Sequence, residues 1–289
     1  MGCECDMPNV GLVLSGGFAK GAYQVGVLNA IKETFKDEPI KCISASSVGA
    51  LNSYAYAHDK MDIIENMWRG FEFSGFRSFY NVYVRSHKIT DAISELVSAE
   101  DFPQPDFYLT CLNVTKLKLN YINLKNADPN HIKDYLLASV MMPVFTKAVE
   151  INGSKYIDGG MIDNIPVRPL MEHTIDYGIV VHFDNDNYLF ENEYFDNRLL
   201  KINFMDEKVI KTSLAFDQNS ILHMIKSGYE RSMELFEIVF KNGIHDVEYI
   251  HQKIKLLNGL QGAQKSRLTG DVIMSGFNKA VKKVISYKI

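Results

Sequence analysis

The amino-acid sequence predicts an α/β fold: a mainly parallel sheet covered by helices, followed by a helical C-terminal segment. Three observations carry this reading. Two short apolar runs, at residues 10–14 and 41–45, each end in a turn of small residues and lead straight into a helical pattern. Strand, turn, helix, repeated, is the pattern of a parallel sheet with covering helices. Further apolar runs at 178–183 and 199–204 have the length of buried strands, and beyond about residue 213 the pattern is helical, with breaks near Gly243, Gly259 and Gly270.

Taken in order, residues 10–14 end at Ser15-Gly16-Gly17, and residues 19–35 place Val25, Leu28 and Ile31 on one helical face. The run KCISA (41–45) enters Ser46-Ser47-Val48-Gly49 and then a helix through Ala50, Leu51, Tyr54 and Ala55. Residues 60–70 and 89–98 read as helices. Between them Phe71, Phe73, Phe76, Phe79, Tyr80 and Tyr83 form an aromatic stretch of poor periodicity, expected to pack in the core rather than to form a lid or membrane-facing surface. Residues 107–114 and 117–124 are neighbouring strands, and 131–141 is a helix stopped by Pro143. Residues 149–151 and 155–157 form a hairpin about Asn152-Gly153. No internal repeat or low-complexity linker interrupts the chain. The expectation is one domain over 1–289, with a motif-bearing core at about 9–205 and a helical C-terminal segment at about 206–289.

With 289 residues, 46% of them hydrophobic, the chain can bury a large core without disulfide staples. A net charge of −4 argues against nucleic acid as a partner, because phosphate contacts need a basic face. Cys3 and Cys5 are spaced by one residue and have no second pair, which is not a zinc framework. Cys42 and Cys111 lie in apolar runs and read as small buried hydrophobes, so a reducing, cytoplasmic setting fits. The opening MGCECDMPNV shows no basic region and no long apolar run, and Asp6 stands where a myristoylation signal needs Ser or Thr. No 18-residue apolar stretch occurs; any membrane contact is expected to be peripheral. Lys279, Lys282, Lys283 and Lys288 read as a solvated basic helix end ahead of a contact with anionic lipid.

Three local features bear chemistry. Ser47, in Ala45-Ser46-Ser47-Val48-Gly49, has small residues two before and two after it, as a nucleophile elbow requires where strand and helix backbones approach closely. The plainer reading is a serine capping the helix that starts near Val48. The loop Gly16-Gly17-Phe18-Ala19-Lys20-Gly21 lets backbone N–H groups point at negative charge. It is neither a P-loop, since Lys20 precedes Gly21, nor a dinucleotide fingerprint, since Phe18 stands where the middle glycine belongs. Lys20 near a helix start hints at an acidic group on the substrate, with a solvated lysine as the alternative. Asp158-Gly159-Gly160 exposes an aspartate after a short strand, as a base would need, although turn aspartates are common. Asp163 competes for that role without the strand-end placement.

The order of glycine loop, serine elbow and Asp-Gly-Gly about 110 residues later resembles the patatin-like phospholipase family. The likeness extends through GLVLSGGFAKGAYQVGVLNAI, SSVGALNSYAY, LLASVMMPVF and YIDGGMIDNIPVRPL, over roughly residues 9–185. It implies a three-layer α/β hydrolase of lipid acyl esters, a phospholipase or lysophospholipase needing no metal or cofactor. It further implies a Ser47–Asp158 dyad without histidine and an oxyanion hole from the amides of Gly16, Gly17 and Phe18. Acyl transfer to another acceptor, or silent lipid binding, would use the same fold. Two departures stand out: Phe18 replaces the third glycine of the family loop, and Ala45 the first glycine of the elbow. His173 and His182 follow Asp158 and are expected to be structural. Oligomeric state is left open.

Overall fold

An eight-stranded sheet organises the molecule. The computed structural model describes residues 7–36, 38–71, 73–74, 87–98, 105–142, 146–183, 187–204, 215–260 and 264–267. In chain order, β1 (Val10–Leu14) passes through a 3-10 turn into α1 (Gly21–Phe35), and β2 (Ile40–Ala45) turns at Ser46 and Ser47 into α2 (Val48–Ala57). α3 (Met61–Arg69), the two-residue β3 (Phe73–Ser74) and α4 (Lys88–Leu96) precede β4 (Asp106–Asn113) and β5 (Lys118–Asn123). α5 (Pro129–Val140) leads to the hairpin of β6 (Val149–Ile151) and β7 (Ser154–Asp158). Then come β8 (Tyr177–His182), β9 (Asn187–Phe190), α6 (Glu193–Asp196) and β10 (Leu199–Asn203). β11 (Ala215–Phe216), α7 (Gln218–Val239), α8 (Val247–Leu260) and β12 (Gln264–Arg267) complete the order.

Strands β10, β8, β1, β2 and β4 lie side by side in that order, all parallel. Along one edge of β4 runs β5, antiparallel, with Tyr108 opposite Asn123 and Asn113 opposite Lys118. The other edge of β4 is shared between two strands. β2 occupies it up to Ala45 opposite Leu109, and antiparallel β7 takes over with Asp158 opposite Cys111. The C-terminal ends of β2 and β7 therefore point at one another, with Thr110 of β4 between their registers. That junction is where the site forms.

The strands alternate faces with period two. Leu12, Leu14, Ile43, Ala45, Ile179, Val181, Leu200 and Ile202 join the larger core, which the helices cover. Val13, Cys42, Val180 and Leu199 face a smaller core capped by Ile165, Val167, Leu170, Phe190 and Phe195. Helices, sheet and this cap are three layers, the cap being built largely from 3-10 and irregular chain. α5 starts earlier than the apolar periodicity predicts because Asp128 caps it: its carboxylate accepts from the N–H groups of Asn130 and His131, with Pro129 in the first turn.

The C-terminal region departs from the all-helical expectation. β11 pairs antiparallel with β3, and β12 adds in parallel to β9. Gly243 does lie in a break between helices, but α8 runs through Gly259. Gly270, Pro143, Phe76, Phe79, Tyr80, Tyr83, Cys3, Cys5 and the four C-terminal lysines lie outside the described residues. Phe71 is fully buried, as core packing predicts. Cys42 and Cys111 are buried free thiols.

Candidate active site

Ser47 sits at the β2–α2 junction with φ 54° and ψ −134°, a left-handed conformation that a residue with a Cβ adopts only under compulsion. The compulsion comes from α2, which starts almost on top of β1. A Cβ on Gly49 would lie 2.7 Å from the carbonyl oxygens of both Leu14 and Ser15. The turn is pinned beneath by the Ser46 N–H, which donates to Leu14 O at 3.0 Å. Ser46 Oγ in turn accepts from Thr110 Oγ1 at 2.9 Å. Ser47 occupies the N-cap position of α2, yet its side chain makes no capping bond. It lines the same cleft as the Asp158 carboxylate.

Asp158 ends β7, directly across from Cys111. Its N–H is held by Met141 O at 2.9 Å, and its Oδ1 accepts from the Gly160 N–H at 2.8 Å. Only 5% of the residue is exposed. Burial pushes its carboxyl up to about 7, against the opposing influence of the Ser47 side chain and the Gly160 N–H, which favour the ionised form. A buried carboxyl poised near neutrality in the same cleft as a serine hydroxyl is chemically suited to general-base work.

The glycine loop closes the site from the β1 side. Gly16, Gly17 and Phe18 line a cleft of about 380 Å³ together with Ser47, Met142, Asp158, Gly160, Met161 and Asn164. One of the three expected oxyanion amides is already committed: the Gly16 N–H donates to Asn164 Oδ1 at 3.0 Å. That bond occupies the Gly16 N–H, while Gly17 and Phe18, the other two residues of the expected oxyanion hole, line the same cleft. Phe18 adopts φ 52°, a left-handed conformation, and the residue lines the cleft while 43% exposed. Lys20 is not among the described lining residues; its ammonium lies 5.9 Å from the Phe183 ring centroid, and Phe183 packs against Gly17.

Asp163 stands apart from the cleft, accepting from the Tyr121 hydroxyl at 2.7 Å. His173 bonds Tyr108 at 3.1 Å and faces Asp106 at the start of β4, the end of the sheet opposite Ser47. His182 is buried at the end of β8, and no histidine lines the cleft among the described residues. No three His, Cys, Asp or Glu side chains among them are placed to hold a metal ion, and no described helix is long and apolar enough to cross a membrane. Sequence reasoning missed Asn164, although it stands six residues after Asp158 within the run that resembles the family. It also missed the buried polar chain behind the loop. There Gln24 Nε2 donates to Ser15 O at 2.7 Å, and Asn52 Nδ2 donates to Gly21 O at 2.9 Å and Gln24 Oε1 at 2.8 Å. Trp68 Nε1 donates to Asn52 Oδ1 at 2.9 Å.

Comparison with known proteins places this geometry. A family profile described as patatin-like phospholipase matches residues 12–171. The chain is 28% identical over 202 residues to a protein named lysophospholipase NTE1 from Cryptococcus neoformans var. neoformans serotype D, covering 65% of this chain and 12% of that protein. It is 31% identical over 173 residues to lysophospholipase nte1 of Aspergillus terreus, covering 55% of this chain and 11% of that one. The chain thus spans only about an eighth or less of the length of these curated relatives. Among solved structures it is similar to VipD from Legionella pneumophila, with a TM-score of 0.44 and 13% identity over 79% of this chain and 67% of that one. With the family profile matching more than half of its residues, the chain belongs to the patatin-like phospholipase family.

Proposed function

We propose that this protein is a serine hydrolase of lipid acyl esters, acting on phospholipid or lysophospholipid through Ser47 and Asp158. The observation that carries the reading is one cleft lined by both a strained, elbow-borne serine and a buried carboxyl held near neutrality. Ser47 Oγ attacks the ester carbonyl carbon while its proton passes to Asp158, and the carbonyl oxygen takes up the displaced electron pair. The amides of Gly17 and Phe18 stabilise that oxyanion, each well-aimed donor contributing about 3–4 kcal/mol. Collapse expels the alcohol portion, which leaves with the proton from Asp158, and an acyl-Ser47 ester remains. Water then gives its proton to Asp158 and attacks the same carbonyl; the second collapse frees the fatty acid and returns the proton to Ser47.

Family membership and the relatives named as lysophospholipases support a lipid substrate. The test is labelling with a fluorophosphonate probe alongside fatty-acid release from lysophosphatidylcholine and diacyl phosphatidylcholine. Wild type should label and turn over, Ser47→Ala should do neither, and Asp158→Asn should lose about 10²–10⁴ in rate. Equal labelling of wild type and Ser47→Ala removes Ser47 from the chemistry. Lipid binding without labelling identifies a silent binder instead.

A further inference from the structure

We infer that Asn164 is a positioning residue for the oxyanion loop, a latch that ties the segment bearing the base to the loop bearing the amide donors. The inference rests on the serine-hydrolase reading above and assigns a role to a residue that the dyad does not include. The Asn164 carboxamide grips both the backbone N–H and the backbone C=O of a single residue, Gly16. Its Oδ1 accepts from the Gly16 N–H at 3.0 Å, and its Nδ2 donates to Gly16 O at 3.1 Å. Only a carboxamide on a side chain this short offers a donor and an acceptor spaced to match a backbone N–H and C=O.

The grip is also tight in space. A Cβ on Gly16 would lie 2.6 Å from Asn164 Oδ1 and 2.7 Å from Ser47 Cβ, and a Cβ on Gly160 would lie 3.0 Å from the same Oδ1. That oxygen is thus wedged between the loop and the turn after Asp158, while Ser47 crowds Gly16 as well. The rest of the loop is anchored from behind, Ser15 O by Gln24 and Gly21 O by Asn52. Those bonds hold its two ends, and Asn164 holds the Gly16 backbone between them. The Gly16 carbonyl held by Asn164 shares one rigid peptide plane with the Gly17 N–H, so fixing it orients that amide donor directly, and the Phe18 amide only through the φ and ψ of Gly17. Amide donors aimed before substrate arrives cost no reorganisation during reaction. Asn164 touches no reacting atom in this scheme, so its effect should appear where an oxyanion forms and nowhere else.

The test uses a long-chain alkyl trifluoromethyl ketone. Ser47 adds to its carbonyl, the proton goes to Asp158, and a tetrahedral oxyanion forms. The matching fatty alcohol fills the cleft without forming one. Asn164→Ala should bind the ketone about 100-fold more weakly, the loss expected from a donor misplaced by about 1 Å, while affinity for the alcohol stays within about threefold. Fluorophosphonate labelling should slow in parallel. The near-isosteric Asn164→Asp keeps an acceptor for the Gly16 N–H but, when ionised, loses the donor to Gly16 O. It should weaken ketone binding at least about tenfold at pH 8, and it serves if the alanine variant fails to fold. Ketone affinity unchanged in a folded variant, or alcohol affinity falling as far as ketone affinity, overturns the latch. Failure of wild type to label refutes the serine-hydrolase reading itself, which is a different result from labelling that is indifferent to residue 164.

Discussion

In the proposed mechanism Asp158 has to be ionised to accept the Ser47 proton, and its burial opposes that ionisation. Burial wins enough to push the carboxyl up to about 7. The rate constant kcat/KM should therefore rise with pH through one ionisation centred near 7, and a profile flat from pH 5 to 8 would contradict the assignment. The same shift has a stability consequence. The folded pKa lies above the ordinary carboxylate value of about 3.9 in the unfolded chain, so the fold binds this proton more tightly. That contribution is complete below about pH 4 and is lost as pH rises through 7. Asp158→Asn, neutral at every pH, should match wild type within about 1 kcal/mol at pH 4 and exceed it by about 2–4 kcal/mol at pH 8, read from urea midpoints. Phe18 is strained in a different way, by a left-handed backbone that glycine adopts freely. Phe18→Gly should leave stability within about 1 kcal/mol, since relieved strain is offset by the entropy of the added glycine. Removing this side chain from the cleft should raise kcat/KM about tenfold for bulky two-chain esters and less than about twofold for p-nitrophenyl acetate.

At the scale of elements, the decisive pairing is α1 against α7, which cross with their backbones nearly touching. A Cβ on Gly26 of α1 would lie 1.9 Å from Ile225 O, and one on Gly228 of α7 would lie 2.1 Å from Tyr23 O. Gly26→Ala must push the helices apart and should cost about 3 kcal/mol, seen as a lower urea midpoint. A midpoint unchanged from wild type would show that the crossing is looser than described. Neither glycine announces this in the sequence, where both read only as weak helix formers. The elbow was more legible. Small residues at 45 and 49 are required wherever a strand turns sharply into a helix, so the local pattern already carries the steric constraint. The two short strands β11 and β12 were not legible, because a strand of two to four residues has too few positions to show period-two alternation.

Across the whole molecule, the C-terminal helices belong to the same core as the motif-bearing sheet. Ile221, Met224, Leu235, Phe236, Val239, Ile250 and Ile254 join the cluster that contains Leu12, Ile43 and Ile179. Polar ties reinforce it: Tyr177 donates to Ile244 O at 2.9 Å, and a His251 ring nitrogen meets Asp176 O at 2.7 Å. A shared core predicts cooperative unfolding. The single tryptophan, Trp68, is 1% exposed and reports on the loop side of the sheet, while far-UV circular dichroism is weighted by all helices. The two signals should give coincident urea transitions; separate midpoints would show the C-terminal helices unfolding as a unit of their own.

Local rules of sterics and periodicity were enough to locate most of the larger strands and helices, the hairpin turn and the order of glycine loop, serine elbow and Asp-Gly-Gly. Each of those depends on neighbours within a few residues. Packing alone decided that β2 and β7 share one edge of β4, that the Asn164 carboxamide claims the Gly16 amide, and that burial brings Asp158 near neutrality. These features join residues more than a hundred positions apart, and no local pattern encodes the register or the desolvation that brings them together.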